Sequence, residues 1–164
     1  MTRLLRSSNF WLLNRALLAA ISLMIAAGVV SGQTTRKPAG PEDEPTFHEY
    51  RGIKLGWVAD EVRKKLGNPV NKSDEQDYFI FNENERAQIY YDAKTRQVTA
   101  ISVDFMSGAT EVITPQQVFG SDFEANADGS KSKLVRYPKA GCWVSYSKTK
   151  GDSPIVSVTI QKMQ

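Results

Sequence analysis

The chain has 164 residues, 41% of them hydrophobic and 24% charged, with 21 Lys+Arg against 18 Asp+Glu, one His and one Cys. Arg3, Arg6 and Arg15 lie in the first 32 residues, where no acid occurs, so the remainder is formally neutral with 18 residues of each sign. The excess positive charge therefore belongs to a leader and gives no ground for a nucleic-acid partner. One Cys excludes a disulfide framework and a Cys-based zinc site, and one His argues against a multi-His metal centre or a Ser-His-Asp triad.

Residues 16–30 form an uninterrupted apolar run behind the arginines, and Val30-Ser31-Gly32 places small residues where a signal peptidase reads them. A signal peptide is expected over residues 1–32, cut after Gly32. The alternative is retention as a membrane anchor, with Phe10–Leu13 extending an apolar run that is otherwise shorter than the ~20 residues of a span. No Cys follows the run, so a lipid anchor is not expected. The destination is periplasmic or secreted. Residues 33–46 contain Pro38, Pro41 and Pro45 and almost nothing apolar, which predicts a disordered linker.

Residues 47–164 remain for one domain with a real core. Val58, Val62 and Leu66 fall on one helical face, with Asp60 and Glu61 early, Arg63, Lys64 and Lys65 late, and Gly67 and Pro69 as stop signals. Strands are predicted at about 77–82, 86–92 and 98–106. Thr114-Pro115-Gln116-Gln117 is a capping box that starts a short second helix. Further strands are predicted at about 133–137, 141–147 and 154–161.

Sliding the chain by 55 residues superposes Ile89-Tyr90-Tyr91 on Val144-Ser145-Tyr146 and Ile101–Phe105 on Val156–Ile160. Short connections between strands imply antiparallel pairing. The expected fold is α+β: two helix-plus-antiparallel-meander repeats, about 47–107 and 108–164, forming one sheet with helices on one face.

Gly52-Ile53-Lys54-Leu55-Gly56-Trp57-Val58-Ala59-Asp60-Glu61-Val62, continuing through Leu66-Gly67-Asn68-Pro69, resembles the signature of the SmpA/OmlA (BamE-like) family. Gly56, Glu61, Val62, Leu66, Gly67 and Pro69 carry the likeness. Trp57 stands where that family usually has Met, Val58 replaces its Ser or Thr, and the lipid-attachment Cys is missing. The paired arrangement is similar to the tandem unit of β-lactamase inhibitory proteins. The resemblance implies an exported binding or scaffold module, not a catalyst.

Strand alternation turns Ala87, Ile89, Tyr91, Cys142, Val144 and Tyr146 towards the core. It turns Gln88, Tyr90, Asp104 and Trp143 to the opposite face, among Ser and Thr residues. Aromatic anchors among polar groups are the usual build of an interface hot spot, which makes Tyr90, Trp143, Asp104 and Gln88 the candidate partner-binding residues. The competing reading makes Trp143 and Tyr90 ordinary structural aromatics. Trp57 is expected to cap the core. Cys142 is expected inward and inert, with only His48 available as a base.

Asp74, Glu75 and Asp77 are read as a solvated helix-to-strand loop, Glu42-Asp43-Glu44 as part of the linker, and Asn71-Lys72-Ser73 as a glycosylation sequon with meaning only in a eukaryotic secretory pathway. No metal, cofactor or catalytic residue is expected. The partner is expected to be a protein of the cell envelope, with no nucleic acid, and a membrane only if the leader is retained. The second function weighed is inhibition of a secreted hydrolase through the Asn82–Glu85 turn, which presents Glu83 and Glu85. That rests on fold analogy.

Overall fold

The computed structural model describes residues 44–163. The expected signal peptide and all of the linker before Glu44 lie outside them. Pro45, placed in the linker by composition, is buried.

The elements in chain order are α1 (Ala59–Leu66), β1 (Asn71–Lys72), β2 (Gln76–Asn82), β3 (Glu85–Tyr91), β4 (Val98–Phe105), α2 (Pro115–Phe119), β5 (Lys131–Tyr137), β6 (Cys142–Lys148) and β7 (Val156–Lys162). All seven strands join one antiparallel sheet in the order β1-β2-β3-β4-β7-β6-β5. Among the described residues no helix is long and apolar enough to cross a membrane.

The expectation of an α+β fold made of two helix-plus-meander repeats is corrected by this architecture. Helix accounts for one element of eight residues and one of five. The shorter is too brief to bury a continuous stripe, and the sheet supplies the core instead. The halves also differ in content. β1 and the Tyr50–Ile53 bridge have no counterpart beyond β4. β4 pairs with β7 along six residues, so one row of side chains runs Ile89–Ile101–Ile160–Val144 through the middle of the sheet. All four of these residues are buried in one cluster that also takes Ala59 and Val62 from α1 and Val118 and Phe119 from α2. The described residues form a mainly antiparallel-β domain with two short helices against one core.

Local chemistry explains the boundaries. Val58 has no side-chain acceptor, so α1 begins on backbone contacts instead: Ala59 N–H donates to the Arg96 carbonyl at 3.0 Å. The Glu61 carboxylate reaches back to the Val58 N–H at 3.4 Å. Gly67 ends α1 at φ +88°, a conformation other residues adopt with strain. At α2 the full capping box forms, with Gln117 N–H donating to the Thr114 hydroxyl at 3.3 Å and Thr114 N–H to the Gln117 side chain at 2.8 Å.

Two ion-pair clusters tie the segment before the sheet to it. In the first, Arg63 of α1 grips the carboxylate of Asp77 on β2 with two bonds, at 2.8 and 2.9 Å, while the Tyr91 hydroxyl donates to the same carboxylate at 2.8 Å. Burial, then the bond to Asp77, push the Tyr91 hydroxyl up.

In the second, the hydroxyl of Tyr50 and the guanidinium of Arg51 donate to Glu85 at the start of β3. The Arg51 guanidinium also lies 4.2 Å from the centre of the Phe81 ring. Burial alone would raise the Glu85 carboxyl, but bonds from Tyr50 and Arg51 and the charge of Arg51 outweigh it and hold the group below its usual range. A carboxyl lowered by folding adds stability above its unfolded pKa of about 4.3, and that increment is lost as pH falls through the folded value. Asp92, Asp122 and Asp128 carry the same sign, held low by hydrogen bonds from Thr95, Lys131 and Ser130. The difference between wild type and Glu85→Gln therefore isolates Glu85. Urea unfolding across a pH series should show the variant less stable near neutrality, with the gap narrowing below about pH 4. A constant gap at every pH would remove Glu85 from the acid response.

Candidate functional site

The sheet face opposite the core is built by the residues that alternate with it, and the strand register aligns them in rows. One row runs Asn71–Tyr78–Gln88–Ser102–Thr159–Ser145–Leu134, crossing all seven strands. A second runs Ile80–Arg86–Asp104–Ser157–Ser147–Ser132. The third runs Gln76–Tyr90–Ala100–Gln161–Trp143–Arg136. All four sequence-predicted residues thus occupy one face, with Tyr90 and Trp143 in one row, Gln88 in a second and Asp104 in another. Tyr90 and Trp143 stand three strand spacings apart, ~14 Å.

Small side chains in the middle of the face and large ones at its flanks leave hollows. Ala100, between Tyr90 and Gln161, is only 5% exposed. One hollow is lined by Tyr90, Ala100, Ser102, Thr159 and Gln161, and an adjoining one by Arg136, Trp143 and Gln161. Lys162 and Met163 border both. Tyr90 is 37% exposed, and Trp143 is half-buried.

The polar groups are held in place. Gln88 accepts from the Tyr90 hydroxyl at 2.7 Å and from the Gln76 amide at 3.1 Å. Ser157 donates to Asp104 at 2.6 Å, and the Ser102 and Thr159 hydroxyls pair at 2.9 Å. Arg86, directly across from Asp104, has a buried Nε with no hydrogen-bond partner among the described residues. A face with two aromatics among polar side chains that are already hydrogen-bonded is suited to protein contact, since little side-chain entropy is lost on docking.

The other candidates fall elsewhere. Trp57 is half-buried and packs against the core, as its corner position suggests. Cys142 is buried on the core side of β6, and burial pushes its thiol up, away from nucleophilic reactivity. His48 is exposed, with Nδ1 3.1 Å from the Thr46 carbonyl. Asp77, read from sequence as part of a solvated acidic loop, is fully buried in β2 beneath Arg63, while Asp74 pairs with Arg96 at 2.6 Å. That reading is corrected, because one apolar-facing position in a strand becomes acidic where a helix supplies its counter-ion. Among the described residues no group of three or more His, Cys, Asp or Glu side chains is placed to hold a metal ion.

At the Asn82–Glu85 turn, Glu85 is committed to Tyr50 and Arg51, and the Asn84 N–H is bound by the Asn82 side chain at 2.8 Å. Glu83 is left as the exposed carboxylate there.

Sequence reading missed Arg136 and Gln161 as neighbours of Trp143. The signal was present in the alternation of residues 131–137, but their row partners depend on the hairpin register. Comparison of the chain with family models, with curated proteins and with solved structures finds no match.

Proposed function

We propose that this chain is an exported interaction or scaffold module, not an enzyme, that holds a protein partner of the cell envelope on its open sheet face. The observation that carries this is the single row Tyr90–Ala100–Gln161–Trp143–Arg136, in which two aromatics flank adjoining hollows on a face that no described element covers. Aromatic and arginine side chains are the common anchors of protein interfaces, and small polar residues between them complete the contact. The resemblance of residues 52–69 to the SmpA/OmlA signature supports the same reading, as does the leader expected from residues 1–32. Of the two carboxylates that the hydrolase-inhibitor alternative would present, Glu85 is occupied within the fold and Glu83 is exposed.

The test is capture of envelope protein by the full chain beside a Tyr90→Ala/Trp143→Ala variant. A partner retained by the wild type should be lost by the variant, with each anchor contributing roughly 2 kcal/mol or more. Circular dichroism should show the variant still folded, since both side chains point away from the core. Equal retention by both proteins would move the partner off this face.

A further inference from the structure

We infer that β5 is a docking edge for an extended acidic segment of a partner protein, which adds to the sheet as one more strand. This edge adjoins the open face proposed above and shares Arg136 and Leu134 with it, but it is engaged through the β5 backbone and not through Tyr90 and Trp143. The two edges of the sheet are unequal: β1 is two residues long, whereas β5 runs seven residues without Pro, Gly or a register shift against β6. Along β5, alternate backbone N–H and C=O groups point away from β6, and no described strand takes them. Loop residues hold the start of β5, where Asp122 pairs with Lys131 at 2.9 Å and the Asn126 amide reaches Ser132 at 3.4 Å. Among the described residues the stretch from Lys133 to Arg136 is the open part.

Charge selects the occupant. Residues 131–150 contain Lys131, Lys133, Arg136, Lys139, Lys148 and Lys150 and no acid, although the chain beyond its first 32 residues is formally neutral. A second copy of β5 would set cations against cations, which opposes self-pairing. An incoming strand with carboxylates meets the opposite situation. Lys133 lies 4.9 Å from the centre of the Phe119 ring and makes no ion pair among the described residues. Arg136 is exposed beside Trp143. Between them Leu134, 54% exposed, ends the row that crosses the sheet from Asn71, and an added strand would cover it.

The experiment uses the full chain and three synthetic peptides long enough to span β5: a Thr-Glu repeat, a Thr-Lys repeat, and the Thr-Glu repeat methylated on alternate backbone nitrogens. Binding and amide hydrogen exchange are read together. The Thr-Glu peptide should bind and slow exchange across residues 133–136 by ~10-fold or more, and the other two peptides should do neither. A Lys133→Glu/Arg136→Glu variant should lose most of the binding, while Tyr90→Ala/Trp143→Ala should keep it, which separates this edge from the open face. Because methylation alters only the peptide, the result stands whether or not the charge variant folds. Equal binding of the methylated peptide, absence of protection in β5, loss of binding in the Tyr90/Trp143 variant, or β5 protection that grows with protein concentration without peptide would each overturn the proposal. The last would identify a second copy as the occupant.

Discussion

Asp77→Ala should lower folding stability by about 3–5 kcal/mol, read as a shift of the urea midpoint with little change in slope. The Asp77 side chain is fully buried, and that of Arg63, which holds it, is 12% exposed. The alanine leaves a nearly buried guanidinium without its counter-ion, and the Tyr91 hydroxyl without its acceptor. The cost comes from the orphaned partners more than from the lost attraction. A buried ion pair is expensive to desolvate and is close to neutral when removed whole. The triple variant Arg63→Met/Asp77→Leu/Tyr91→Phe should therefore recover most of the loss. A triple variant as unstable as the single one would show that the cost lies in strand packing instead. The same protein tests cooperativity: since β4 and β7 share one core, Asp77→Ala should raise exchange of β6 amides along with those of β2. Unchanged β6 protection would show that the two halves of the sheet open independently.

Ile101→Ala should cost about 2–5 kcal/mol, within the range for a buried large-to-small change. Ile101 is 0% exposed on the central strand, with Ile89 on one side and Ile160 on the other. Neither neighbour can collapse into the space without leaving its own strand position, which places the expected value towards the upper part of the range. Leu134→Ala, an equally large apolar deletion at the exposed edge, should change stability by no more than about 0.5 kcal/mol. Thermal unfolding of the two variants side by side measures the contrast, and similar losses in both would contradict the assignment of Leu134 to the open face.

The six longer strands lie within about two residues of the spans read from sequence, because period-two alternation with one buried face is a local property. The same property explains the mistaken repeat. Any two alternating strands superpose when slid by a suitable even or odd offset, so matching Ile89 to Val144 reported a shared pattern and not a shared unit. β1 escaped notice because two residues, Asn71 and Lys72, carry no period at all. Asp77 was misread because its partner Arg63 lies fourteen positions away and only the docking of α1 brings them together.

By itself the sequence determined the six longer strands to within about two residues, the main inward-facing residues of the strands, and that Gln88, Tyr90, Asp104 and Trp143 share a face. These follow from backbone geometry repeating every second residue. The tertiary structure alone decided that β4 sits against β7, that the sheet and not the helices supplies most of the core, that Tyr90 and Trp143 fall in one row with Arg136, and that β5 is left at the edge. Each of these depends on which strands become neighbours and in what register. That choice is made by the summed burial of residues distant in sequence, a quantity no local pattern contains.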